Sequence, residues 1–242
     1  MQNLQKDKIV QWIRDYFASN GGARTKAVIG ISGGKDSTIA AALCVEALGS
    51  GRVHGVLMPQ GNQEDIDVSY AVCSHLGIQH IEVNIGETVQ TLYDAINLEL
   101  NDTATRNTPA RVRMTVLYAV AAIVDGRVVN TCNASETFIG WETKYGDSAG
   151  DFSPFYDLTV TEVKAVGYEL GLPSEFIEKV PIDGLCGKTD EDALGFSYAT
   201  LDKFVREGVC DNEQDKAKIM DLHKNSEHKR NPMPKYSNNA GE

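Results

Sequence analysis

The 242-residue chain has no run of about 18 apolar residues, the length a helix needs to cross a bilayer. Its N-terminal stretch MQNLQKDKIVQWIRDYF is charged and helically periodic and lacks the apolar centre of a signal peptide. A soluble, cytoplasmic protein is the expectation. None of the five cysteines, Cys44, Cys73, Cys132, Cys186 and Cys210, belongs to a CxxC pair, and their number is odd. Neither a disulfide framework nor a zinc ribbon is indicated, and free thiols are expected. Basic residues are outnumbered, with 23 Lys and Arg against 34 Asp and Glu, a formal net charge of −11. That balance argues against a broad contact with nucleic acid or an anionic membrane. An anionic substrate would need local cations or a metal. Internal repeats, low-complexity tracts and an obvious linker are also missing, so one domain over residues 1–242 is expected.

What is present is an alternation of β-branched runs with longer helical patterns, which reads as βαβ units on a parallel sheet. The expectation is a doubly wound α/β fold, with a mainly parallel sheet of about five strands and helices on both faces. Strands are predicted over residues 27–31, 53–58, 80–84 and 127–132. Helices are predicted over 4–18, 38–48, 66–76, 87–100 and 114–124, most of them ending at Gly or Asn. Thr159 and Glu162 form a capping box for a further helix to about residue 170. The polar stretch NDTATRNTPARVRM at 101–114 reads as a connection, and NASETFIGWETKYGDSAGDFSPF at 133–155 as a mobile loop with functional potential.

The most informative stretch is VIGISGGKDSTI at 28–39, where two glycines, a lysine, an aspartate and two hydroxyls directly follow a β-branched run. In a parallel sheet, ligands bind beyond the carboxyl ends of the strands, where a helix N-terminus offers unpaired N–H groups. Ser32, Gly33 and Gly34 can form a backbone nest for phosphate oxygens, and Ser37 and Thr38 can donate to them or cap the helix. The P-loop GxxxxGK[ST] does not fit, because Gly30 to Gly34 is one residue short and Asp36 follows Lys35. A carboxylate beside a phosphate makes sense only with a divalent cation between them. The bland alternative is a tight turn with Asp36 stabilising the helix dipole.

SGGKDS resembles the SGGxDS pyrophosphate loop of the ATP pyrophosphatases, a superfamily that includes GMP synthetase, asparagine synthetase, argininosuccinate synthetase, tRNA-thiolating enzymes and NAD synthetase. Further on come ARVRM at 110–114, ETKYGD at 142–147 followed by Asp151, GKTDEDALGFSY at 187–198 and EHKRNP at 227–232. In this order and spacing they resemble ammonia-dependent NAD synthetase over essentially the whole chain.

The resemblance implies an adenine nucleotide alpha hydrolase-like fold and a ligase that converts deamido-NAD, ATP and ammonia to NAD, AMP and pyrophosphate. It implies that Gly30, Ile31, Ser32, Gly33, Gly34, Lys35, Asp36 and Ser37 cradle ATP, with Thr131 as a further contact. Asp36 and Glu136 would hold Mg2+, and Arg111, Lys144, Asp151, His228 and Lys229 would hold deamido-NAD. Asp36, Glu136 and Lys144 would carry the chemistry, and a loop bearing Trp141, Lys144 and Tyr145 would close to exclude water. A homodimer is implied too, with the helix at 114–124 in its interface. The first strand begins about 25 residues into the chain, which leaves no room before it for a glutamine-hydrolysing domain, so free ammonia is the expected nitrogen donor.

Two positions depart from the family pattern: Val160 where a lysine commonly touches ATP, and Ile182 where Thr or Ser is common. Lys164 and Lys188 are the candidates to compensate. Taken singly, Arg111 with Arg113 could be a solvated basic patch, Glu136 an exposed loop carboxylate and Lys144 a surface lysine. Another ATP pyrophosphatase, or a nucleotide-binding homologue without turnover, remains an alternative function.

Overall fold

The computed structural model describes residues 5–179 and 189–236. Four short strands, β1 (Lys26–Gly30), β2 (Val53–Leu57), β3 (Gln79–Glu82) and β4 (Gly126–Val128), form a wholly parallel sheet in the order β3-β2-β1-β4. The helices before and between them are α1 (Gln5–Asn20), α2 (Lys35–Leu48), α3 (Ile66–Leu76), α4 (Gly86–Ile96) and α5 (Asp102–Val124). After the sheet come α6 (Ala134–Ile139), α7 (Val160–Glu169), α8 (Ser174–Ile177), α9 (Asp190–Leu194), α10 (Tyr198–Glu207), α11 (Glu213–Asn225) and α12 (Glu227–Arg230). None of the described helices is long and apolar enough to cross a membrane.

The two central strands are buried on both faces, as a parallel sheet covered by helices requires, so that β2 keeps even His54 inside. Alternation along β1 then divides the core. Ala27 and Ile29 face a large cluster with Ile13 and Phe17 of α1, Ile39 and Leu43 of α2, and Val163 of α7. Val28 faces the other way, onto Met114, Leu117 and Val120 of α5. A third cluster lies beyond the carboxyl ends of the strands, where Ile139, Val160, Leu194, Tyr198, Leu201 and Ile219 join α6, α7, α9, α10 and α11.

The sheet has four strands among the described residues, where about five were expected. A fifth begins and stops: Asp151 N–H donates to the Val128 carbonyl, Asn130 N–H donates to the Phe152 carbonyl, and Val129 bridges Phe152 in parallel. Pro154 follows two residues later, and a residue without an N–H cannot extend a ladder. Strand β4 likewise ends at Val128 instead of Cys132. There the Asn130 amide turns the chain by donating to the Asp147 and Ala149 carbonyls and accepting from Cys132 N–H.

Two stretches read as irregular are helical. Residues 102–113 form the first three turns of α5, capped by the Asn101 side chain accepting from Ala104 N–H. Pro109 sits inside this helix and lacks the N–H that would bond to the Thr105 carbonyl. The Tyr93 hydroxyl donates to that carbonyl instead, at 3.3 Å. The stretch 133–155 opens with α6, which carries a reciprocal capping box between Asn133 and Glu136.

Candidate active site

Strand β1 delivers the chain to the loop at 31–34, and α2 begins at Lys35 with Gly34 as an extended N-cap that offers no side-chain cap. The unpaired N–H groups of the first helical turn therefore remain available to an anion. Gly33 adopts φ +75°, and a Cβ there would lie 3.2 Å from the Val68 side chain and from Ser69 Oγ. Only glycine fits both the backbone and the space. Ser37 Oγ accepts from Ser32 N–H at 3.3 Å and donates to the Gly34 carbonyl at 3.1 Å, while Ser32 Oγ accepts from Gly34 N–H. The hydroxyls thus brace the turn and hold its shape without ligand.

Beside this turn stand two carboxylates. Asp36 lies in the first turn of α2 and Glu136 in the first turn of α6, and Asn133 joins them. Its Nδ2 donates to Asp36 Oδ1 and its backbone N–H donates to Glu136 Oε2, both at 3.3 Å. Burial pushes the Glu136 carboxyl well above the usual carboxylate range and the nearby Asp36 charge pushes it further, against the pull of Lys35. The Lys35 ammonium donates to Asp36 Oδ2 at 2.8 Å and sits 5.8 Å from the centre of the Tyr198 ring. Burial works against the charge of Lys35, yet Asp36 and Glu136 outweigh it and raise its pKa. The Tyr198 hydroxyl, itself raised by burial and then by Glu136 and Asp190, donates to Asp190 Oδ2 at 3.2 Å.

Among the described residues no group of three or more His, Cys, Asp or Glu side chains could enclose a metal. A pair of carboxylates beside a phosphate nest is nevertheless the donor set that suits Mg2+, which takes one or two carboxylates and completes its shell with water and substrate phosphates. The residues fit that ion.

A second group is built by the C-terminal helices. Lys229 Nζ donates to the Gly140 and Glu142 carbonyls at 2.8 and 2.7 Å, and Arg230 donates to the Thr137 and Phe138 carbonyls and to Ser226 Oγ. Gly140 ends α6 at φ +68°, and a Cβ there would fall 2.1 Å from Ser226 Cβ. Lys144 Nζ donates to the His228 carbonyl, and Arg111 Nε donates to the Lys144 carbonyl at 3.2 Å. Arg111, Lys144, His228 and Lys229 therefore form one neighbourhood, tied to Glu136 through the length of α6.

Other sequence-predicted residues fall elsewhere or carry other contacts. Thr131 is half-buried in the chain beyond β4. Asp151 stands at the sheet edge, where its Oδ2 accepts from Val128 N–H at 2.7 Å and its Oδ1 from the Tyr118 hydroxyl at 3.4 Å. Trp141 packs against the cluster around Ile139, so within the 141–145 stretch it is Tyr145, 63% exposed, that faces outward. Lys164 does not turn back toward the loop, because Glu178 holds its ammonium at 2.6 Å on the surface. Ile182, Cys186 and Lys188 lie outside the described residues. Asp190 and Tyr198 fall within GKTDEDALGFSY and Arg230 within EHKRNP, yet neither these three nor Asn133 is singled out by the sequence as a site residue. For Asn133 the available signal is Asn133-x-x-Glu136, a capping pattern.

A parallel sheet whose first strand-to-helix turn presents an uncapped helix N-terminus beside two carboxylates has the layout of a nucleotide-binding α/β protein. The NAD synthase family profile matches residues 5–233, and the chain belongs to that family. It is 36% identical to the NH(3)-dependent NAD(+) synthetase of Pyrococcus furiosus over 95% of this chain and 94% of that one. It is 38% identical to the enzyme of the same name from Alkaliphilus oremlandii, covering 97% and 98%. Among solved structures, the NMN synthetase of Francisella tularensis superposes with a TM-score of 0.88 at 30% identity, over 96% of this chain and 97% of that one. The NH3-dependent NAD synthetase of Campylobacter jejuni gives 0.78 at 25% identity, over 96% and 97%.

Proposed function

We propose that this member of the NAD synthase family is a cytoplasmic, AMP-forming ligase that adenylates the nicotinate carboxylate of deamido-NAD with ATP and amidates it with ammonia. The observation that carries the reading is the Asp36–Asn133–Glu136 arrangement beside the phosphate turn, in a chain matched nearly end to end by NH(3)-dependent synthetases. A nicotinate carboxylate is a poor electrophile because oxide would have to leave. Its oxygen attacks the α-phosphorus, the bond to pyrophosphate breaks, and the carbonyl then carries AMP as a good leaving group. Ammonia attacks that carbonyl and AMP departs.

Both steps gather negative charge on phosphates, so donors fixed in advance around those oxygens supply the catalysis. The turn from Gly30 to Ser37 would cradle the phosphates, with Thr131 near the nucleotide. Asp36 and Glu136 would hold Mg2+, which when bound offsets phosphate charge. Arg111, Lys144, His228 and Lys229 support a second, anionic substrate on the α6 side, while a deamido-NAD contact by Asp151, which is held at the sheet edge by Val128 N–H and the Tyr118 hydroxyl, rests on the family resemblance. Lys144 and Tyr145 would help exclude water from the acyl adenylate. One domain uses free ammonia, and two chains pair through the outer face of α5.

A second reading concerns the substrate alone. The likeness to an NMN synthetase makes the deamido mononucleotide a competitor for deamido-NAD. The test incubates the protein with Mg2+, ATP, ammonium and either nucleotide, following amide product and AMP, with Asp36→Ala as control. Equal amounts of NAD and AMP from deamido-NAD, and a dead variant, are expected. Turnover of the mononucleotide alone would replace the substrate, and ATP binding without product would leave a nucleotide-binding homologue.

A further inference from the structure

Lys35 is 3% exposed, and an ammonium is seldom buried so deeply without compensation. Its compensation is the carboxylate pair itself. It bonds Asp36, and Asp36, Glu136 and Asp190 all act on its charge. The ammonium is therefore held against Asp36, one of the two carboxylates that would hold a dication. A flexible four-carbon stem at the first position of α2 can carry the charge from the carboxylates to the phosphate nest formed by the same turn. Tyr198, whose ring lies 5.8 Å from the ammonium, belongs with Val160 to one apolar cluster.

We propose that Lys35 is an internal counter-cation that offsets the charge of Asp36 and Glu136 before nucleotide binds, yields them to Mg2+ when Mg2+-ATP enters, and then moves onto the phosphates. The inference rests on the ATP reading above. It makes Lys35 a competitor of the metal and a partner of the nucleotide, so its removal has opposite effects on the two. A purely structural ion pair would move both in the same direction or neither.

The test measures binding to the full chain by calorimetry, with Mn2+ as the metal probe in the absence of nucleotide and Mg2+-ATP as the second ligand. Lys35→Met should bind Mn2+ at least about tenfold more tightly than wild type, because a buried positive charge beside the site has gone. It should bind Mg2+-ATP at least about tenfold more weakly, and Lys35→Arg should recover part of that loss. Unchanged or weaker Mn2+ binding in Lys35→Met, or unchanged Mg2+-ATP binding, overturns the proposal. If Lys35→Met does not fold, Lys35→Gln is read by the same two criteria. Should wild type bind no Mg2+-ATP at all, the ATP reading fails, and the Mn2+ comparison still decides whether Lys35 guards the carboxylates.

Discussion

Glu136 serves two ends that pull against each other. Its carboxylate caps α6 and faces Asp36, and burial with that neighbouring charge raises its pKa in the folded chain. A carboxyl whose folded pKa lies above its unfolded value favours folding fully only below the unfolded value, near pH 4.5. That contribution is lost as pH rises through the folded value. Glu136→Gln keeps the capping geometry without the charge. The variant's melting temperature should therefore gain on wild type between pH 5 and pH 8, while turnover collapses. A gap that stays constant with pH would contradict the assignment. Lys144 shows what a residue's identity alone does not convey. Its type and spacing were readable, whereas its grip on the His228 carbonyl depends on a helix more than 80 residues away in the chain.

At the scale of elements, α6 is the link between the two halves of the site. Its first turn holds Glu136 beside the phosphate turn, and its last turn is clasped by Arg230 and Lys229 from α12. Hydrogen bonds from a charged group are each worth about 1.5–3 kcal/mol. Arg230→Ala should therefore leave the sheet intact while residues 137–144 exchange their amide hydrogens faster, by at least about tenfold. Exchange confined to wild-type rates would remove α12 as the clasp. The same scale separates what sequence reading reached from what it missed. Strands β1 and β2 are readable from short β-branched runs closed by a turn signal, and α3 from its helical spacing ended by Gly77. Helix α5 was read one half too short. Its first turns are polar and contain Pro109, and the hydroxyl that satisfies the freed carbonyl comes from α4, a tertiary contact no local pattern carries. Helix α6 was missed for the opposite reason, because six residues are too few for a period to emerge.

For the whole molecule, the outer face of α5 is left uncovered. Ile123 is 83% exposed, and Tyr118, five residues before it in the same helix, is 40% exposed. If two chains pair there, Ile123→Asp should sediment as a monomer at micromolar concentration while wild type sediments as a dimer. A monomeric wild type with full activity would refute the pairing. If the carboxylate itself attacks ATP at the α-phosphorus, an isotope label reads that step directly. Deamido-NAD labelled with oxygen-18 in the nicotinate carboxylate, turned over with Mg2+, ATP and ammonium, should leave one labelled oxygen in AMP and none in pyrophosphate. Label in inorganic phosphate alongside ADP, or unlabelled AMP, would contradict adenylation.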